Sequence, residues 1–280
     1  MHRRRVCVVT GSRAEYGHLK WLIQELRECS NVEFQMVATG AHLSLLRGNT
    51  INEILADGVP VNEKVEIALA SDTAIAVAKS LGLGIMGFAE AFGRLSPDII
   101  VILGDRFEML AAAQAAMLHN IPIAHVHGGE TTEGAIDEAI RHSITKMAHL
   151  HFVAAEKYRD TVIQLGEDPA RVFNYGAPGL DHVRRTQFMS KQQLEALLGV
   201  VLKPPVLLMT YHPVTLNRNV TDHEVKSVIS ALNQLNFATV IITGVNSDPE
   251  SEAVDRVIKE FVSNNPGKAY FFDSLGGVYI

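Results

Sequence analysis

The sequence predicts an α/β protein made of two Rossmann-like, doubly wound units. Short β-branched runs alternate with longer helical stretches. Several of these runs are apolar at nearly every position, the pattern of strands covered on both faces of a parallel sheet. The alternation then begins again after Gly179, as expected for a second set of βαβ units.

In chain order, strands are expected at residues 6–10, 34–38, Ile99–Leu103, 121–126 and Leu150–Val153, with helices between them. Glycine, proline and charge replace the periodic pattern between Gly176 and Ser190, so the domains are placed at 1–178 and 179–280. The second series reads as helix Lys191–Leu198, strand Val206–Met209, helix 223–235, strand Thr239–Thr243, helix 251–262 and strand Ala269–Phe272. With three clear strands, this unit reads as incomplete.

Composition narrows the function. The 280 residues are 47% hydrophobic and 20% charged with a net charge of -6, which favours a small ligand over nucleic acid or an anionic membrane. Arg3, Arg4 and Arg5 lead directly into a strand and do not overturn that balance. The two cysteines, Cys7 and Cys29, make no disulfide framework or CxxC metal site, which fits a reduced setting. No apolar h-region precedes the first strand and no uninterrupted apolar run reaches eighteen residues. A cytoplasmic, unanchored protein is therefore expected.

Four loops carry candidate chemistry. Gly11-Ser12-Arg13-Ala14-Glu15-Tyr16-Gly17 joins the first strand to a helix that begins near Glu15. At the carboxyl end of the first strand of a doubly wound sheet, a helix N-terminus attracts phosphate, and Arg13 adds a cation. The spacing is neither GxGxxG nor a P-loop, so it does not point to a dinucleotide or ATP. A plain glycine turn with a solvent-facing arginine is the alternative.

Leu103-Gly104-Asp105-Arg106-Phe107-Glu108 ends another apolar strand. Asp105 and Arg106 project into the crevice, or else Asp105 caps the next helix in a capping box with Glu108. The densest loop is His125-Val126-His127-Gly128-Gly129-Glu130, followed by Asp137, Glu138, Arg141 and His142. Two histidines two apart on a strand share a side, and paired glycines let backbone approach a ligand. Asp137 with Arg141 and Glu138 with His142 are i,i+4 pairs that also suit a plain helix surface. The HxH pattern raises metal-dependent hydrolysis as a competing class, with Asp105, Glu130, Asp137 and His142 as further donors, although no spaced motif completes a ligand set.

The fourth loop, Met209-Thr210-Tyr211-His212-Pro213-Val214-Thr215, follows the first strand of the second unit. His212 faces a cleft or is an exposed loop histidine. Asn246 and Asp248 stand at the end of the next strand as cleft residues or turn formers.

Together these loops resemble the hydrolysing UDP-N-acetylglucosamine 2-epimerases of sialic-acid-type sugar synthesis, over nearly the whole chain. The anchors are GSRAEYG at 11–17, GNT at 48–50, LGDRFE at 103–108, HGGE at 127–130, DEAIRHSITKMAHLHF at 137–152 and HPVT at 212–215. The resemblance implies a GT-B-like pair of domains holding a UDP-sugar, with no metal or nicotinamide cofactor. It implies elimination of UDP to 2-acetamidoglucal and then hydration to N-acetylmannosamine. Asp105 and Asp137 become the acid/base candidates, and Arg13 and His212 the diphosphate contacts. Arg106 and Arg141 support the site and Asp181 lies near the sugar; Glu138, His142 and Asn246 complete the substrate-binding set.

Two departures matter. Many members carry EGGE where this chain has HGGE, so the role of that glutamate passes to His127 or Glu130. Members also continue past Ile280 into a serine- and glycine-rich phosphate-binding segment and a final helix, so the chain is expected to be C-terminally truncated, with an inactive sugar-nucleotide-binding fragment as the alternative. The stretch from Ser71 to Gly84, with HGGETTEG, also resembles a sister group acting on UDP-2,4-diacetamido-2,4,6-trideoxyglucose. The apolar helix between Ala74 and Leu95 offers more than one apolar face, which suits a homodimer or tetramer as well as a helix sandwiched in its own domain.

Overall fold

The computed structural model describes residues 3–45, 48–67, 69, 71, 73–133, 135–211, 221–235, 238–244, 251–273 and 275. His212 and Asn246, two of the expected site residues, lie outside them. The chain divides into two compact units, Met1–Arg185 and Thr186–Ile280.

Seven parallel strands form the sheet of the first unit: β1 (Arg4–Thr10), β2 (Val32–Thr39), β3 (Glu63–Val65), β4 (Ile99–Leu103), β5 (Ile123–Val126), β6 (Leu150–Val153) and β7 (Val172–Asn174). Their order is β3-β2-β1-β4-β5-β6-β7. Strand order reverses between β1 and β4, the place where open α/β sheets leave a crevice beyond the strand ends. β4 and β6 have the bounds expected from sequence. β3 and β7, three residues each, were not expected, because two or three side chains carry no readable alternation.

Burial explains the apolar strands. Cys7, Val8, Val9, Met36, Val37, Ile100 and Ile102 are all fully buried, so helices cover both faces. On one face lies α1 (Arg13–Glu28), seated through Tyr16, Leu19 and Ile23. The other face carries α3 (Ala74–Leu95) and α4 (Phe107–Leu118), with Phe88 and Phe92 fully buried. Each such aromatic contributes about 1.5–3 kcal/mol of burial.

By length and composition α3 is apolar enough to cross a membrane, the one such helix among the described residues. Here it packs against α4 and β3. A side chain on Gly87 would put its Cβ 2.6 Å from Val65 Cγ1, so only glycine permits that approach. Ile75 and Met86 on its outer side are exposed. The first unit is completed by α2 (Ile51–Ala56), α5 (Asp137–Met147), α6 (Glu156–Gln164) and α7 (Gly179–Arg185). α7 folds onto α1: Arg185 lies 5.2 Å over the Trp21 ring and donates to Glu25 at 2.7 Å.

In the second unit β8 (Val206–Met209), β9 (Thr239–Thr243) and β10 (Ala269–Phe272) form a parallel sheet in the order β10-β9-β8. Its helices are α8 (Lys191–Leu198), α9 (Thr221–Gln234) and α10 (Ser251–Asn264). Val225, Val240, Ile242, Val254 and Ile258 make its core. Ser190 begins α8 with a full capping box closed by Gln193, so the helix starts at Lys191 as read from sequence.

Candidate active site

The candidate site lies beyond the ends of β1, β4 and β5. Ser12 caps α1, its side chain accepting from the Glu15 N–H at 3.4 Å, so Arg13 is the first helical residue beside free N–H groups. Under this turn His42, fully buried, bridges Thr10 Oγ1 at 3.0 Å and Thr50 Oγ1 at 2.8 Å. Thr50 closes the GNT segment, so that segment's place is to hold His42. Burial pushes the His42 imidazole down to about 4, a neutral ring.

β4 runs into Gly104, at φ +81, and Asp105. Asp105 does not cap α4; Arg106 occupies the cap position and makes no side-chain cap bond. Arg141, one turn into α5, instead reaches back and pairs with the Asp105 carboxylate. It also donates to the His127 carbonyl at 2.8 Å and to Thr132 Oγ1 at 3.2 Å, and lies 3.5 Å from Glu130. Arg141 is 6% exposed, so these bonds form in a setting where charge-assisted contacts are strong. One guanidinium on α5 thus gathers residues from the loops that follow β4 and β5.

The two histidines of the HxH motif do not share a side. β5 ends at Val126, and His127 adopts φ 65, which turns its ring out of the strand. His125 stays fully buried; its Nε2–H donates to the Gly104 carbonyl at 2.8 Å, which leaves Nδ1 to accept from Thr145 at 3.2 Å. Burial holds it down at about 3. Both ring nitrogens of His125 are committed to protein partners, and among the described residues no group of three His, Cys, Asp or Glu is arranged for a metal. His127, Glu130 and Asp105 are instead held by one another and by Arg141.

His127 Nδ1 donates to Glu130 at 2.5 Å. Burial alone would raise the Glu130 carboxyl; the His127 bond and the His127 and Arg141 charges outweigh it, so the net shift is downward. Gly129, at φ +81, lets the loop pass α6: a Cβ there would lie 2.4 Å from the Tyr158 carbonyl. His18, on the second turn of α1, was missed from sequence. Its ring centroid stands 6.3 Å from that of His127, and a Cβ on Gly179 would meet His18 Nδ1 at 2.3 Å. Nothing in the local pattern distinguishes His18 from a surface position of an amphipathic helix.

The other expected residues sit as follows. Asp137 and Glu138 occupy the first turn of α5, and Glu138 faces His142 at 3.7 Å, the i,i+4 pair read from sequence. Arg141 turns to Asp105 and Glu130. Arg106 approaches Glu108 at 3.4 Å, and Asp181 lies in the first turn of α7. Arg13 forms no ion pair with a carboxylate among the described residues.

A family model described as UDP-N-acetylglucosamine 2-epimerase matches residues 24–279, nearly the whole chain. The chain belongs to that epimerase family. Among its relatives is a GDP/UDP-N,N'-diacetylbacillosamine 2-epimerase (hydrolyzing) of Campylobacter jejuni, 41% identical over 276 residues, 99% of this chain and 72% of that protein. A UDP-N,N'-diacetylbacillosamine 2-epimerase (hydrolyzing) of Legionella pneumophila is 36% identical over 93% of this chain and 69% of its own length. This family member thus spans about seven-tenths of the relatives it matches. Among solved structures, the UDP-GlcNAc 2-epimerase of Neisseria meningitidis bound to UDP-GlcNAc superposes with a TM-score of 0.81 at 17% identity, over 98% of this chain and 73% of that one. At that identity the likeness establishes the fold, an α/β architecture of the GT-B-like epimerases.

Proposed function

We propose that this chain is a hydrolysing 2-epimerase of a UDP-sugar, and that the sugar is a 2,4-diacetamido-2,4,6-trideoxyhexose, N,N'-diacetylbacillosamine. The observation that carries the reading is the cluster in which Arg141 holds Asp105, Glu130 and the His127 carbonyl around one crevice. The two hydrolysing relatives at 41% and 36% identity, both named for the diacetamido sugar, support that substrate over UDP-N-acetylglucosamine.

In the proposed reaction a base removes the proton at C2, the C2–H electrons form the C1–C2 double bond, and the C1–O bond breaks to release UDP. Water then adds its oxygen to C1, and a proton returns to C2 from the opposite face. The products are UDP and the free 2-epimer. Two proton-handling groups on opposite faces are needed. Asp105 and Asp137 fill these roles, and the His127–Glu130 pair takes the place of the glutamate common in the family. Arg13 meets the diphosphate. No metal or nicotinamide is required by this chemistry.

The test is proton NMR in deuterated water with each UDP-sugar in turn. The diacetamido substrate should yield free UDP and a 2-epimer deuterated at C2, faster than UDP-N-acetylglucosamine does. Release of UDP only from UDP-N-acetylglucosamine would reverse the substrate assignment, and release from neither would overturn the activity.

A further inference from the structure

His18 has no place in the reaction above. It stands exposed on the second turn of α1, its ring centroid 6.3 Å from that of His127 and the two planes tilted by 58°. The start of α7 closes its Nδ1 side, where a Cβ on Gly179 would come within 2.3 Å of that nitrogen. Nε2 is the nitrogen left open. Among the described residues His18 makes no hydrogen bond.

His127 is an imidazole with one working end. Its Nδ1–H is held by Glu130 at 2.5 Å, and Glu130 lies 3.5 Å from the buried Arg141 cation, so the carboxylate stays charged and keeps the proton on Nδ1. Only Nε2 is free to take up a proton and give it away. His125 is closed to exchange, since both of its nitrogens have protein partners. Among the described residues, the ring that stands beside His127 is His18.

In the reaction proposed above, on which this step rests, C2 loses a proton to one carboxylate and regains one from the other. UDP departs with the electrons of the broken C1–O bond. The adding water forms the new C1–O bond through its oxygen and gives up one hydrogen as a proton. Each turnover therefore leaves one proton that must quit the crevice.

We propose that His18 is the proton exit of the site: His127 Nε2 accepts the proton of the adding water and passes it, through one water molecule, to His18 Nε2, which releases it to solvent. With 6.3 Å between centroids the rings do not bond each other directly, and a single water closes the gap. His18 works through His127 and touches no reacting atom. Desolvation by the packing around it, and next the His127 charge, hold the His18 imidazole below its ordinary value against the pull of Glu130. It thus rests neutral and passes a proton on instead of keeping it.

The test compares the full chain with His18→Gln on the diacetamido UDP-sugar. kcat should fall by about tenfold to a hundredfold with KM unchanged, and added free imidazole should restore most of the lost rate. A merely structural loss does not answer to imidazole. Unchanged kcat, or a loss that imidazole leaves in place, overturns the exit. A second measurement needs no turnover: in a nitrogen-15 titration of the histidine rings, His18 should titrate below 6.5 and move up by about 0.5–2 pH units in His127→Gln. An unmoved midpoint would mean that the two rings do not sense each other, and also overturns it. A wild type that turns over neither UDP-sugar removes the relay together with the reaction it serves, whereas an active wild type without imidazole rescue in His18→Gln removes the relay alone.

Discussion

Arg141 and Asp105, thirty-six residues apart in sequence, are joined by a direct ion pair beyond the ends of β4 and β5. The pair fixes a candidate acid/base carboxylate against a buried cation that is itself anchored on the His127 carbonyl and Thr132. Arg141→Met leaves Asp105 without its cation and is expected to cost about 3 kcal/mol in urea unfolding. Arg141→Lys keeps the charge but loses the fork, and turnover should still fall by about a hundredfold. Wild-type turnover in Arg141→Lys would show that the geometry of the guanidinium is not used.

Glu130 and His127 act as a unit if the 2.5 Å bond orients the imidazole. Glu130→Gln and His127→Ala should each lower kcat by about 10²- to 10⁴-fold, and the double variant should be little worse than either alone. Losses that multiply in the double variant would mean that the two residues work separately.

Gly129→Ala meets the Tyr158 carbonyl and Val162 Cγ2 and forces a positive φ on a residue with a side chain. A loss of at least about 2 kcal/mol is expected, read as a lower urea midpoint or as insoluble protein. Stability within a few tenths of the wild type would mean that the loop bends away from α6 freely.

Acid sensitivity should come from buried neutral histidines. The native values of His42 (about 4) and His125 (about 3) lie below the ordinary 6.5. The unfolded chain therefore binds protons that the native state refuses. Their contribution is complete above pH 6.5 and is lost as pH falls toward 4. His42→Gln should flatten the fall in urea midpoint between about pH 6.5 and 5 even if its stability at neutral pH is lower. An unchanged slope would place the acid sensitivity elsewhere. Glu15 acts in the opposite sense: its raised native value favours the folded state below 4.5, an advantage lost as pH rises to about 7.

The parts of the fold legible in sequence are those whose pattern is local. β4 and β6 are apolar runs with abrupt ends, and α8 keeps the bounds read for it. The edge strands β3 and β7 are too short to show a period, and α7 packs on α1 through Trp21 and Glu25, contacts far upstream in sequence. The loops of the site were legible as loops. Their internal wiring was not: the choice between Asp105 as a cap and Asp105 as a ligand of Arg141 depends on a partner in another helix. The sidedness of His125 and His127 failed for a related reason, since strand alternation stops where β5 ends and a left-handed residue begins.

That left-handed residue has a further consequence. His127 holds φ 65 with a full side chain, a conformation glycine would adopt at less cost. His127→Gly would relieve that conformation, a gain on the order of 1 kcal/mol, while deleting the imidazole and its bond to Glu130. Backbone ease and side-chain chemistry therefore pull against each other at this one position, where the ring that holds Glu130 sits on a backbone suited to glycine.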